Sequence, residues 1–115
     1  MVIKYDNIMS WKITFYSERV ERQTLNFPTD ILANFIHIAE MIEALGPNIG
    51  KPYVGSLGSG LYEIRARGRE GIGRSLYCTV KGKEIIILCS FIKKSQKTPK
   101  KKIDLAIKRM KEVQR

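Results

Sequence analysis

The spacing of apolar and polar residues predicts four strands along the chain. Apolar side chains at every second position are typical of a half-buried strand, and residues 11–16 and 61–67 alternate in this way. Residues 73–80 are rich in strand-forming side chains. Residues 84–92 are almost wholly apolar, which is the pattern of a central strand covered on both faces. A looser, glycine-rich turn over residues 68–73 and a tight turn over residues 81–83 separate the last three strands, so we expect them to form an antiparallel meander.

Three further segments carry helical signals. Ser17 has the side chain of an N-cap and predicts a short helix over residues 18–25. Apolar positions spaced three and four apart predict a longer helix, which Pro28 and Thr29 open and Gly46-Pro47 ends. Pro99 stands where proline often occupies the first helical position, and it predicts a final helix that continues toward the end of the sequence.

Together these elements predict an α+β domain. The order strand, helix, helix, three strands, helix is typical of a small antiparallel sheet with helices packed on one face. Residues 46–60 are rich in glycine and proline and predict a loop, and residues 1–10 predict a flexible lead-in. A chain of 115 residues has room for one core, so we expect residues 11–115 to form a single domain.

The composition excludes several classes of function. No apolar run approaches the ~20 residues of a membrane span, and the first residues lack the apolar core of a signal peptide, so we expect a cytoplasmic protein without membrane contact. Cys78 and Cys89 lie in strand-like segments and are predicted to be buried free thiols rather than a disulfide. One histidine and two scattered cysteines cannot build a metal site, so we expect neither a metal nor another cofactor.

The net charge of +10 is unevenly distributed. Residues 93–115 contain ten Lys and Arg against two acidic residues, whereas the rest of the chain carries eleven basic and nine acidic side chains. A positive field concentrated in one part of the chain favours a polyanionic partner, either nucleic acid or an acidic protein. The alternative is a lysine-rich helix that only keeps the protein soluble.

Arginine side chains in the predicted strands are the first candidates for chemistry. Alternation places Arg65 and Arg67 on the face opposite the apolar side chains, about 7 Å apart, where they repel each other unless an anion lies between them. A guanidinium binds phosphate oxygens bidentately and keeps its charge. In the next strand, alternation predicts Tyr77 as the neighbour of this pair. It places Arg74 on the other face, so that either a bulge at Gly73 redirects this side chain or it acts from the edge of the loop.

A lysine-rich segment joins the last strand to the final helix. Cations in the first turn of a helix oppose the macrodipole, but the free backbone N–H groups there attract anions. We therefore predict that Lys100, Lys101 and Lys102 at the helix start bind phosphate. If the meander brings Lys93 and Lys94 beside Arg65, the lysines and arginines form one basic groove.

Three segments resemble the phage-derived HigB branch of the RelE/ParE toxin superfamily. In that branch a Glu-Leu-Arg strand, an Arg-x-(Leu)-aromatic strand and a Phe-x-Lys-Lys-(Ser/Thr)-Gln-Lys-Thr-Pro segment occur in this order. The matching segments are Leu61-Tyr62-Glu63-Ile64-Arg65, Arg74-Ser75-Leu76-Tyr77 and the run from Ile87 to Pro99. The resemblance covers residues 11–112 and implies a RelE-like fold and a toxin of a type II toxin–antitoxin system.

The resemblance also implies an activity, the ribosome-dependent cleavage of messenger RNA. The ribonucleotide 2′-OH would attack the adjacent phosphate without a metal, while the protein aligns the RNA and stabilises the developing charge. Arg65 and Arg74 would clamp the phosphate, and Tyr77 or a lysine with a lowered pKa would transfer protons. The implied catalytic set is Arg65, Arg74, Tyr77, Lys93 and Lys94, and the implied RNA-binding set is Arg67, Lys97, Lys100 and Lys101.

The implied partners are a cognate antitoxin, expected to be a small helix-turn-helix protein, together with mRNA and the ribosome. Relatives often carry a histidine just before the phenylalanine of the last strand, where this chain has Ser90. The single histidine, His37, falls on the polar face of its predicted helix, so a histidine-based mechanism is not expected. Two alternatives stay open: a ParE-like inhibitor that binds DNA gyrase without catalysis, and a basic module that binds only an antitoxin or nucleic acid.

Overall fold

A computed structural model of the chain describes residues 10–93 and 97–115. Residues 1–9 of the expected lead-in lie outside these described residues. The described part of the chain contains five strands and three helices and has an α+β fold, which confirms the predicted fold class. In chain order they are β1 (Lys12–Phe15), α1 (Glu18–Leu25), α2 (Thr29–Leu45), β2 (Val54–Gly58), β3 (Leu61–Gly68), β4 (Gly71–Val80), β5 (Glu84–Lys93) and α3 (Lys100–Val113).

The strands form one mixed sheet in the order β1-β5-β4-β3-β2. The pairs β2–β3, β3–β4 and β4–β5 are antiparallel, whereas β1 lies parallel to β5. The expectation of a purely antiparallel sheet was therefore wrong for β1. Its partner is more than 60 residues away in the sequence, so no local turn reveals the direction of pairing. The position of β5 between β1 and β4 confirms the central strand predicted from its apolar run.

The helices cover both faces of the sheet, not one face as expected. Helices α1 and α2 pack on Ile64, Ala66, Tyr77, Ile85 and Ile87. Helix α3 packs on Leu61, Leu76, Cys78, Leu88 and Cys89. Neighbouring residues of a strand point to opposite faces, and both sets of side chains are apolar, so each face needs its own helical cover.

The helix ends follow the local signals in the sequence. The Ser17 hydroxyl accepts a hydrogen bond from the Val20 backbone N–H at 3.2 Å, as expected of an N-cap. Helix α2 ends at Gly46, whose φ of 100° is open to glycine at little cost. Helix α3 begins one residue later than predicted, with Pro99 as its N-cap.

Strand β2 lies within residues predicted to form a loop. It is a short edge strand that pairs with β3, from Val54 opposite Ile64 to Gly58 opposite Leu61. Glycine is a weak strand former, and the pairing with β3 outweighs this local preference. The consequence for the site is that Gly55 lies beside Glu63, inside the sheet.

Both cysteines are buried free thiols, as predicted. Cys78 and Cys89 lie on the side of the sheet that α3 covers, and burial raises the pKa of each thiol to about 11. No helix within residues 10–93 and 97–115 is long and apolar enough to cross a membrane.

Candidate functional site

The two arginines expected to act together face the same side of the sheet. Arg65 of β3 lies directly opposite Arg74 of β4, because Gly68 pairs with Gly71 and the turn between them has only two residues. Paired residues of antiparallel strands share a face, so no bulge at Gly73 is needed. The prediction that alternation separates Arg74 from Arg65 was wrong, because it assumed a longer turn and a register that differs by one residue.

Helix α2 holds this turn in place. The Asp30 carboxylate accepts the backbone N–H groups of Ile31 at 2.8 Å and of Arg69 at 2.9 Å, and Asn34 accepts the N–H of Arg67 at 2.8 Å. The hydrogen bond from Arg69 is the main cause that lowers the pKa of Asp30. Gly68 fits against the helix because a Cβ there would overlap Ile31 and Asp30. These contacts fix the turn and thereby the register of β3 against β4.

The Glu63 carboxylate is the centre of a buried hydrogen-bonded ring. It is fully buried, and its Oε1 accepts from Arg65 Nε at 2.8 Å and from Arg74 Nη1 at 3.0 Å. Its Oε2 accepts from the Thr98 hydroxyl, and that hydroxyl oxygen accepts from Arg74 Nη1 at 3.2 Å. The ring therefore joins β3, β4 and the residue that precedes the N-cap of α3.

Arg65 and Arg74 differ sharply in exposure. The Arg65 side chain is 26% exposed, whereas the Arg74 side chain is 1% exposed. Within the described residues, the hydrogen bond of the Arg65 side chain uses only Nε, so its two Nη groups are available to a ligand. Arg74 instead lies beneath the surface, where its guanidinium supports Glu63 and Thr98. This arrangement does not provide the two-arginine phosphate clamp expected from the sequence.

Strand β2 supplies the surface on which Arg65 lies. A Cβ placed on Gly55 would fall 2.7 Å from Arg65 Cζ and 3.1 Å from Nη1, with Nη2 closer still. Real Cβ atoms essentially never lie within 3.0 Å of another atom, so a Cβ here would force Cζ and Nη2 to shift. The Arg65 guanidinium thus occupies the space that any other side chain at position 55 would need.

Basic side chains surround this part of the sheet. Lys93 and Arg67 both lie opposite Ile72 and so share one face, in the row next to Arg65 and Arg74. Two exposed lysines, Lys97 and Lys100, flank Thr98 in the sequence, and Thr98 itself bonds Glu63. We call Arg65, Arg67, Lys93, Lys97 and Lys100 the basic cluster. Lys94, which the sequence places among the catalytic residues, lies outside the described residues.

The start of α3 adds further positive charge. Its N-cap, Pro99, makes no side-chain capping bond, and the first turn holds no acidic residue. Lys101 is exposed, and the ammonium group of Lys102 lies 5.3 Å from the centre of the Phe91 ring. Exposed Lys100 pairs with Asp104 one turn later at 3.0 Å, an interaction that solvent largely screens. The start of this helix therefore favours an anion.

Tyr77 does not belong to the basic cluster. It lies opposite Tyr62, on the face covered by α2, and the two rings stack with centroids 5.6 Å apart. Its hydroxyl donates to the Pro47 carbonyl at 2.7 Å, and burial raises the pKa of this phenol. The expectation that Tyr77 neighbours the arginine pair was wrong. The register that places Arg74 opposite Arg65 turns Tyr77 to the other face of the sheet.

The sequence reasoning missed Glu63, Thr98 and Gly55 as parts of the site. Glu63 had a readable signal, since it shares a face with Arg65 about 7 Å along the strand. The anion expected beside Arg65 is therefore in part the protein's own carboxylate. Thr98 and Gly55 had no such signal, because their contacts depend on how α3 and β2 meet the sheet. No group of three or more His, Cys, Asp or Glu that could hold a metal ion occurs among residues 10–93 and 97–115.

Comparison with known proteins gives one family match and a structural neighbour. Residues 22–111 match the profile of a family described as phage derived protein Gp49-like (DUF891). No curated protein matches the sequence. Among solved structures, a chain of the archaeal RelE–RelB complex from Pyrococcus horikoshii OT3 has a TM-score of 0.52 and 24% sequence identity. The alignment covers 73% of this chain and 96% of that chain, so the fold is RelE-like.

Proposed function

The chain belongs to the phage-derived Gp49-like family, and from this membership and its RelE-like fold we propose that it is the toxin of a type II toxin–antitoxin system. We further propose that it acts as an endoribonuclease that cleaves messenger RNA on the ribosome, as in the HigB branch that the sequence resembles. The observation that carries this proposal is Arg65, a partly exposed guanidinium held by a buried carboxylate within a cluster of basic side chains.

The proposed reaction needs charge stabilisation more than it needs a reactive side chain. The 2′-OH of a ribonucleotide attacks the adjacent phosphorus, the bond to the 5′ oxygen of the next nucleotide breaks, and a cyclic phosphate and a 5′-OH result. Negative charge on the non-bridging oxygens increases in the transition state, and a fixed guanidinium stabilises it more than a mobile one. Arg65 is the residue proposed to contact these oxygens, and Arg74 is proposed to hold the Glu63 ring beneath it.

The remaining basic residues would hold the RNA and move protons. Arg67, Lys97, Lys100 and Lys101 would contact backbone phosphates. Tyr77 lies on the other face of the sheet, so proton transfer would fall to lysine side chains, with Lys93 and Lys94 as the first choices.

The proposed partner is an antitoxin that covers the basic cluster. The structural neighbour was solved as a RelE–RelB complex, which supports a protein partner for this chain as well. An acidic segment of a small helix-turn-helix protein would match the charge of the cluster.

Induced expression in a bacterial host tests the proposal. We expect the wild type and Arg19→Ala to arrest growth and to produce new 5′ ends inside translated codons by primer extension, whereas Arg65→Ala at equal protein level does neither. Arg19→Ala is the matched control, because it removes an exposed arginine from α1 on the other side of the sheet. Arrest with intact messages would contradict cleavage and favour a bound target such as gyrase, and absence of arrest would contradict the toxin.

A further inference from the structure

Two residues outside the expected site define where the Arg65 guanidinium lies. Glu63 accepts the Nε–H of Arg65 at 2.8 Å from a fully buried position. Gly55 offers a bare backbone across which the rest of the guanidinium extends. The flexible Arg65 side chain is thus held at Nε by the Glu63 carboxylate and along one side of its guanidinium by strand β2.

The Glu63 carboxylate is itself held in place. Arg74 and Thr98 bond it from β4 and from the approach to α3, so it cannot follow Arg65 if the guanidinium moves. Rotation of this carboxylate would break these hydrogen bonds, and an unpaired polar group is costly where it is buried. The anchor for Arg65 is therefore rigid.

On this basis, and resting on the proposed function, we infer that Gly55 and Glu63 are positioning residues for the cleavage reaction. Glu63 fixes the orientation of Arg65 through Nε and leaves both Nη groups for the RNA phosphate. Gly55 keeps clear the space in which that orientation is possible. Neither residue contacts the RNA, so both act only through Arg65.

Gly55→Ala is the sharper of the two tests. Gly55 lies within β2 without a positive φ, so alanine suits the backbone, and the atoms that a Cβ would displace belong to the end of the Arg65 side chain. The fold should tolerate this change while the guanidinium shifts by an ångström or more. A displacement of that size at a reacting centre lowers the rate roughly 100-fold.

Glu63→Gln tests the other half of the inference. It keeps the shape of the side chain but removes the charge that orients Arg65, and it leaves Arg74 buried without a carboxylate. The Glu63→Gln variant can lose stability for that reason. If it does not fold, the result for Gly55→Ala alone decides whether the inference holds. Ser56→Ala is the control in β2, because Ser56 is exposed and points to the other side of the strand.

The experiment measures message cleavage on programmed ribosomes by the purified wild type, the three single variants, Arg65→Ala and the double variant Gly55→Ala/Arg65→Ala. We expect Gly55→Ala to lower kcat roughly 100-fold with a much smaller change in KM and a Tm close to wild type. We expect the double variant to be no slower than Arg65→Ala alone, because Gly55 has no effect once Arg65 is absent. Additive losses, or a Gly55→Ala variant as active as Ser56→Ala, would overturn the inference.

A second readout separates this inference from the proposed function. The Arg65 Nε–H proton, assigned by its loss in Arg65→Ala, should exchange slowly with solvent in the wild type and change its NMR shift in Gly55→Ala. If the wild type cleaves no message, the proposed function is wrong. The Nε–H signal still shows in that case whether Glu63 and Gly55 fix the orientation of Arg65. A rapidly exchanging Nε–H in the wild type would overturn the positioning by Glu63.

Discussion

The Glu63 ring brings three charged side chains and a hydroxyl together, and among these four Arg65 alone is more than slightly exposed. Two guanidinium ions face a single carboxylate, and one of them, Arg74, is almost completely buried. Moving ions out of water is costly, and good hydrogen-bond geometry is needed to offset that cost. Each member of the ring should therefore matter more for stability than the exposed pair of Lys100 and Asp104, which water screens.

At this scale Thr98 offers a clean test of the ring. We expect Thr98→Val to lower the free energy of unfolding by about 1–3 kcal/mol, because valine keeps the shape but leaves Glu63 without its Oε2 donor. Thr98→Ser keeps the hydroxyl and should stay much closer to wild type. Urea unfolding of the three proteins measures the difference. A Ser variant that loses stability while the Val variant stays close to wild type would show that the methyl group rather than the hydroxyl matters.

The two thiols give a second residue-scale prediction. With pKa values raised to about 11, Cys78 and Cys89 are protonated and shielded at pH 8. We expect a thiol-specific reagent to label neither residue in the folded protein and both in urea, because the thiolate is the reactive form. Rapid labelling of either cysteine without denaturant would show that α3 leaves the sheet far more often than its packing indicates.

At the scale of the elements, helix α2 holds the turn between β3 and β4 in place. Asp30 of α2 accepts the Arg69 N–H, and this contact lowers the pKa of Asp30 below its ordinary 3.8. A carboxylate with a lowered folded-state pKa stabilises the fold above its unfolded pKa, and this contribution is lost as the pH falls through the folded pKa. We therefore expect the Arg69 amide to lose hydrogen-exchange protection as the pH falls below 3.8, once the intrinsic pH dependence of exchange is corrected for. Asp30→Asn should remove that pH dependence. Asn34→Ala should lower the protection of the turn but leave its pH dependence in place.

The same elements show what a sequence can predict. The bounds of α1 and α2 follow from caps and apolar spacing, which are local signals, and the structure confirms them. The register of β3 against β4 depends on whether the turn has two residues or more, and an error there moved Tyr77 and Arg74 to the wrong faces. Strand β2 and the direction of β1 arise only from pairing with distant strands, so local patterns did not reveal them.

At the scale of the whole molecule, basic residues are distributed unevenly between the two sides of the sheet. Between residues 23 and 50 there is no lysine or arginine, and these residues include all of α2. The lysine-rich start of α3 lies on the other side, next to the Glu63 ring. An approaching polyanion should therefore be oriented before it binds, with α2 turned away from it.

This division predicts how RNA binding responds to salt. We expect the affinity for a single-stranded RNA to fall linearly with salt concentration on logarithmic axes. The double variant Lys100→Ala/Lys101→Ala should lower the slope by about 1.4, or roughly 0.7 for each phosphate that the protein no longer neutralises. The control Arg19→Ala/Lys81→Ala removes the same charge from remote exposed positions and should leave the slope nearly unchanged. Equal slopes in the two variants would show that only the net charge, and no defined cluster, attracts the RNA.

The bare backbone beneath Arg65 also has a consequence over evolutionary time. A mutation that places any side chain at position 55 takes away the volume in which the guanidinium lies. The loss of Arg65 by contrast removes the reason for a glycine there. In descendants of this chain the two positions should therefore drift together: lineages that keep the arginine retain the glycine, and those that abandon the arginine accumulate ordinary strand residues at position 55.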